Sequence, residues 1–265
     1  MTADHGQIAG RFLDARRAAE GLVAYPGALP ATLEEAYAIQ DAAIDGWARP
    51  VVGWKVGRVP PHLIERFGAD RLAGPIFTAE RASTNGTAVE MPVFAEGFAA
   101  GEAEFLLRIG ATPPAGKMEY GLDEAADLID EVHAGIEVAS SPLGSINEIG
   151  PIAVISDFGN NNGMVIGPEI RGWRGSDFER WEVTTAIDGA VVGTGRAAGF
   201  PDGAIGAARF LFELMALRGI ALRPGQWISS GAVTGVHAAR PGQRVEARFR
   251  DGLSVNCTLV PARPE

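Results

Sequence analysis

Glu102 and Glu104 fall in Gly101-Glu102-Ala103-Glu104-Phe105-Leu106-Leu107-Arg108-Ile109-Gly110, and a third acid, Glu137, falls in Ala134-Gly135-Ile136-Glu137-Val138-Ala139. Both stretches read as strands. Side chains alternate along a strand, so Glu102 and Glu104 share one face while Ala103, Phe105, Leu107 and Ile109 share the other. Glu137 is set against Ile136 and Val138 in the same way. Three carboxylates on strands with apolar backs can converge into a hard, oxygen-rich site suited to Mg²⁺ or Mn²⁺, with positions left for water and substrate oxygens. The alternative is a solvated strand face that carries acids.

Three further motifs carry polar chemistry. Lys55 lies in Gly53-Trp54-Lys55-Val56-Gly57, an apolar strand pattern. Its ammonium must reach water or enter a polar pocket, and the flanking glycines allow a backbone or ligand to approach closely. A lysine so placed can carry a proton or pair with an anionic substrate. Ser156-Asp157-Phe158-Gly159-Asn160-Asn161-Asn162-Gly163 reads as a polar loop between two apolar strands. Its amides could hold a carboxylate, or it could be a plain turn. Ile228-Ser229-Ser230-Gly231-Ala232-Val233-Thr234-Gly235 places hydroxyls and small residues directly after a strand, as a ligand-facing turn or a strand exit.

The four histidines are dispersed. His62 and His237 fall in expected loops, and His133 closes an expected helix, where a cation is favourable in any case. No His-x-x-His, Cys-x-x-Cys or Gly-x-Ser-x-Gly pattern supports a zinc or serine hydrolase.

The elements that must position these groups follow from periodicity and turn chemistry. Residues 6–22 read as an amphipathic helix with Ile8, Phe12, Leu13 and Ala19 inward. Thr32 opens a second helix, with Glu35 completing a capping box and Tyr37, Ile39, Ala43, Ile44 and Trp47 on the apolar side. From Val51 the texture changes to strands and turns: 51–56, a run after the Asn85-Gly86 turn, 100–109 and 134–139. The stretch 122–132 reads as a helix. Asp188-Gly189 and Asp251-Gly252 signal hairpins, and Asp202 is expected to cap a helix running to Arg218 and stopped by Gly219. Residues 1–50 thus form a helical segment on a mostly β core over 51–265, together one domain.

Length and composition agree. A chain of 265 residues with 46% apolar and 21% charged side chains is globular, and 35 glycines and 17 prolines supply many turns. A net charge of −10 argues against a nucleic-acid partner and against attraction to an anionic membrane. The single cysteine, Cys257, alternates with Val255 and Leu259 and reads as a core residue. No signal peptide and no membrane span are expected, which together with the lone cysteine fits a cytoplasmic protein.

Taken in order, the motifs resemble those of the 2-keto-4-pentenoate hydratase and 4-oxalocrotonate decarboxylase family, within the fumarylacetoacetate hydrolase superfamily. The matching segments are 53–57, 74–77 (Gly-Pro-Ile-Phe), Glu102-Ala103-Glu104, Gly135-Ile136-Glu137, 157–167 and 224–235. The resemblance implies an α+β fold, a mixed β-sheet roll around a central site with flanking helices. It implies Mg²⁺ or Mn²⁺ on Glu102, Glu104 and Glu137, Lys55 as proton donor or acceptor, and a homo-oligomer. The substrate it implies is a small 2-oxo or 2-hydroxydienoate acid, with Asn160, Asn161, Ser230 and Thr234 as candidates to orient it.

The reaction expected is hydration of a 2-hydroxy-2,4-dienoate to a 4-hydroxy-2-oxo acid. The alternatives are a 4-oxalocrotonate-type decarboxylase, an acylpyruvate hydrolase, or a degenerate member partnering a related enzyme. Two departures bear on this choice. Hydratase relatives carry an acid just after the Gly-x-x-Phe segment; here Thr78 and Ala79 stand there, and Glu80, one step later, is the candidate acceptor for water. Phe158 stands where relatives have Asn.

Overall fold

The computed structural model describes residues 5–83 and 87–265; the Asn85-Gly86 turn lies outside them. Helix α1 (His5–Ala18) buries Ile8, Phe12 and Leu13. It stops short of the expected end, with Ala19 turning left-handed at φ 55°. Helix α2 (Leu33–Trp47) starts at Thr32, whose side chain accepts from the Glu35 amide. The Glu35 carboxylate accepts from Ala31 rather than from Thr32. The two helices pack on each other, and on Ala153 and Phe158 further along the chain, through Ile39, Ala43 and Phe12.

The strands follow in order: β1 (Gly53–Arg58), then a short helix α3 (Pro61–Phe67), β2 (Arg71–Ile76), β3 (Ala79–Arg81), β4 (Val89–Val93) and β5 (Phe98–Ile109). Helix α4 (Leu122–Asp127) leads into β6 (Ile129–Ser141). The helix expected over 122–132 therefore ends early. Ile129, Val132, Ala134, Ile136 and Val138 are all buried, and pairing with β5 extends the strand backward over a helical local pattern. Helices α5 (Ile146–Ile149) and α6 (Pro151–Ser156) precede β7 (Asn161–Glu169). The asparagine loop thus connects a helix to a strand, not two strands.

The hairpin β8 (Val183–Ile187) and β9 (Ala190–Gly195) turns at Asp188-Gly189, both at positive φ. Helix α7 (Gly203–Leu217), β10 (Trp227–Ser229), β11 (Arg244–Arg248) and β12 (Ser254–Pro261) complete the fold. Asp202 does not cap α7 with its side chain; its carboxylate pairs with Arg209 at 2.6 Å.

Seven strands form one sheet in the order β2-β1-β10-β5-β6-β7-β3, and five form a second, β4-β12-β11-β8-β9. One face of the large sheet presents Phe105, Leu107, Ile109, Ile136 and Val138, which share a core with Val245, Val255, Cys257 and Leu259 of the small sheet and with Leu211 and Phe212 of α7. Each fully buried side chain of this size contributes about 1.5–3 kcal/mol. The other face curls inward. Ile76 of β2, at one edge, shares a cluster with Met164 of β7, near the other, together with Leu106 and Trp227. The large sheet is a roll, and the glutamates stand on its inner face. No helix among the described residues is long and apolar enough to cross a membrane.

Candidate metal centre

Glu102 on β5 stands directly opposite Glu137 on β6, and Glu104 opposite Gly135. The carboxylates of Glu102, Glu104 and Glu137 each bring one oxygen within 4.8 Å of the others. All three residues are buried, at 4, 1 and 0% exposure. The alternative of a solvated acidic face is excluded by that burial.

Neighbouring groups hold each acid in place. Glu104 Oε2 accepts from Ser229 Oγ at 2.5 Å and from the Gly231 amide at 2.8 Å. Glu137 Oε1 accepts from Asn161 Nδ2 at 2.9 Å. Glu137 Oε2 is buried without a hydrogen bond; Lys55 Nζ lies 3.4 Å away, an ion-pair distance. Lys55 is on β1, in register with Ser229. Burial alone would lower its pKa, but Glu137, Glu102 and Glu104 outweigh that and raise it, so the ammonium keeps its proton. Burial, then the charge of Glu137, pushes Glu102 up to about 8 against the pull of Lys55. Glu104 is raised by burial first and then by Glu137 and Glu102.

With all three carboxylates ionised, as cation binding requires, and one ammonium against them, the buried site carries a formal charge of −2. A divalent cation cancels it. The donors are all hard oxygens, one oxygen of Glu137 has no hydrogen bond to lose, and three protein ligands leave room in an octahedral shell for water and substrate. The residues fit Mg²⁺ or Mn²⁺.

A cavity of about 460 Å³ opens from this centre. Lys55, Glu102 and Glu104 line its inner end, and Val59, Leu72, Val154 and Phe200 are among its apolar walls. Asn160 also lines it, with Oδ1 buried and unpartnered.

The turn before β7 is strained. Phe158, Gly159 and Asn160 have φ of 55°, 69° and 61°, a run of left-handed residues that is costly for Phe. A Cβ at Gly159 would come within 3.0 Å of Lys55 Cδ, and one at Gly74 within 2.3 Å of Phe158 O. The turn therefore packs against Lys55 at Gly159 and against the β2 backbone at Gly74. The glycine before Lys55 serves a backbone as well, since a Cβ at Gly53 would meet Trp227 O at 2.5 Å.

The strain is held by an ion pair that the sequence reading does not single out. Arg16 of α1 donates from Nε to Asp157 Oδ1 at 2.6 Å, and Ser141 Oγ donates to Asp157 Oδ2 at 2.5 Å. The Arg16 guanidinium lies over the rings of Phe94 and Phe158. Phe158 itself packs with Trp47 and Phe77, so its departure from the expected Asn fills a hydrophobic cluster beneath the N-terminal helices.

Not every expected site residue reaches the cavity. Glu80 pairs with Val165 on the edge strand β3, whereas its neighbour Ala79 pairs with Met164, the partner of Glu137. Glu80 is therefore on the opposite face from the triad, and it is exposed. Asn161 clamps Glu137 and does not line the cavity. Thr234 Oγ1 is 2.7 Å from Thr185 Oγ1, directed away from it. Ser230 is buried with an unpartnered hydroxyl, and it is Ser229, on the inner face, that meets Glu104. Alternation along β10 is the signal that separates these two serines.

The histidines stand apart from the centre. His133 is in β6, not at a helix end, bonded to Gly167 O and Glu131 and edge-to-face against Trp227. His62 lies in α3, not in a loop, and both it and Glu65 are exposed.

No protein-family model matches the chain. Solved structures do match. A 4-oxalocrotonate decarboxylase from Pseudomonas putida G7, complexed with magnesium and adipate, superposes with a TM-score of 0.78 at 18% identity, over 97% of each chain. A fumarylpyruvate hydrolase from Pseudomonas aeruginosa, in complex with Mn²⁺ and pyruvate, matches with a TM-score of 0.55 at 15% identity, over 79% of this chain and 89% of its own. A 2-hydroxyhepta-2,4-diene-1,7-dioate isomerase from Mycobacterium marinum matches with a TM-score of 0.56 at 18% identity, over 80% and 77%. The α+β roll of this chain is thus the fold of 4-oxalocrotonate decarboxylase and of the fumarylacetoacetate hydrolase family.

Proposed function

We propose that this protein is a divalent-metal-dependent enzyme acting on a small 2-oxo or 2-hydroxydienoate acid, and within that class a hydratase forming a 4-hydroxy-2-oxo acid. The observation that carries the reading is the buried Glu102, Glu104 and Glu137 cluster with the Lys55 ammonium against it, at the inner end of an apolar cavity. Neighbours of the same fold bind magnesium or manganese together with carboxylic acids, which supports the same ions here.

Glu102, Glu104 and Glu137 would hold the cation. When bound, it supplies a Lewis acid for the carboxylate and 2-oxygen of the substrate. Ser229, the Gly231 amide and Asn161 keep two of the three ligands oriented. Lys55 holds a proton beside the site and delivers it to the carbon chain as the dienol becomes a ketone. The unpartnered Asn160 Oδ1 offers an acceptor to a substrate hydroxyl or to the added water. The apolar walls hold the hydrocarbon part and limit bulk water.

A decarboxylase is the second reading, favoured by the match over 97% of both chains to 4-oxalocrotonate decarboxylase. Hydrolysis of an acylpyruvate gains nothing, because no described histidine lines the cavity. The experiment offers 2-hydroxypenta-2,4-dienoate, 4-oxalocrotonate and fumarylpyruvate separately with Mg²⁺ or Mn²⁺. Loss of dienol absorbance without CO₂ is expected. CO₂ from 4-oxalocrotonate would replace hydratase by decarboxylase, and no turnover of any of the three would overturn the enzymatic reading.

A further inference from the structure

Arg58 ends β1 three residues beyond Lys55, and both line the same cavity. The chain carries a net charge of −10, yet among the described residues no carboxylate lies within ion-pair distance of this guanidinium and no acceptor takes its hydrogen bonds. It lies over the ring of Phe200, 5.3 Å from the centroid, and Phe200 is itself a cavity wall. Directly across β1 and β2 stands a second cation, Arg71. Like charges facing each other across a ladder are unfavourable. Arg71 is compensated: it is buried, donates to the carbonyls of Pro201 and Gly203, and feels Asp70 and Asp202. Arg58 has no such compensation.

The cavity therefore has a cation-binding carboxylate centre at its inner end, apolar walls, and a free guanidinium at its exposed rim. A planar guanidinium over an aromatic ring, with no carboxylate partner of its own, keeps N–H groups available for a ligand carboxylate. A ligand anchored at the centre through its 2-oxo acid end, with an apolar middle and a second carboxylate at its far end, satisfies all three regions. We propose that Arg58 is a specificity-determining residue that pairs with a distal carboxylate, so that the site selects diacid over monoacid substrates. This rests on the metal-dependent dienoate reading and names the substrate side chain that reading leaves open.

The test separates the two ideas because it measures binding, not turnover. Mg²⁺-loaded protein is titrated calorimetrically with 2-oxoadipate and with 2-oxohexanoate, which share a chain length and differ only in the terminal carboxylate. The wild type should bind the diacid more tightly by roughly tenfold, the scale of one charge-assisted contact at an exposed rim. In Arg58→Leu the ratio should fall to near unity, and Arg58→Lys should restore part of it. Equal binding of the two acids by the wild type would overturn the proposal while leaving the metal-centred reading intact, as would a ratio unchanged in Arg58→Leu. Binding of neither acid would overturn both.

Discussion

Asn161 donates from Nδ2 to Oε1 of Glu137 at 2.9 Å, while its own Oδ1 accepts from the Gly163 amide at 2.9 Å. The amide thus has both ends fixed, one by the backbone of its own strand and the other by the most buried acid of the centre. A side chain that orients a ligand in this way commonly contributes 10–100-fold in metal affinity. Asn161→Ala should weaken Mn²⁺ binding by roughly that factor, read by titration, with the far-ultraviolet circular dichroism spectrum unchanged.

Lys55 is buried against Glu137 and touches the strained turn. Lys55→Ala should lower kcat on the best substrate by about 10²–10⁴-fold, the range for a lost general acid or base. Stopped assays with Mg²⁺ or Mn²⁺ measure this. Unchanged turnover would reduce Lys55 to a counter-charge for Glu137.

Much of this arrangement was legible in the sequence, because it rests on alternation. Glu102 and Glu104 on one face and Phe105 and Leu107 on the other follow from period two, and the roll agrees. What alternation could not reveal was register between distant strands. Glu80 is near the site in sequence, but its pairing with Val165 turns it to the far face. Ser230 and Thr234 offer hydroxyls after the strand, but register puts Ser229 beside Glu104 and sends Thr234 to Thr185. Arg16 was hidden differently. It sits on the inward side of a helix whose apolar stripe alone is readable, and its partner Asp157 lies 141 residues away in the chain.

The acidity of the centre gives a pH dependence with a definite sign. Burial and the neighbouring charge of Glu137 push Glu102 up to about 8 from 4.5 in the cation-free protein. The folded state therefore holds this proton more tightly than the unfolded chain. Stability from that group is full below 4.5 and is lost as pH rises through about 8. A cation competes with the same proton. Mn²⁺ affinity should rise as pH rises through about 8, with protons released on binding. Calorimetry in buffers of different ionisation enthalpy counts those protons; none released would contradict the assignment.

The Arg16–Asp157 pair has side chains 3 and 1% exposed. Removing one charge strands the other, at about 3–5 kcal/mol for a buried pair. Asp157→Asn keeps the shape and should lower the unfolding free energy by about that much in urea titrations. The Phe158-Gly159-Asn160 turn should loosen with it, seen as faster amide exchange at those residues.

The most direct measurement is a calorimetric Mn²⁺ titration of the wild type beside Glu102→Gln, Glu104→Gln and Glu137→Gln. One ion per chain is expected for the wild type. Each single change should weaken binding by more than the roughly 100-fold typical of a lost outer partner, with the fold intact. Wild-type affinity in any of the three variants would contradict the account, because it would mean that the ion, if bound, sits elsewhere.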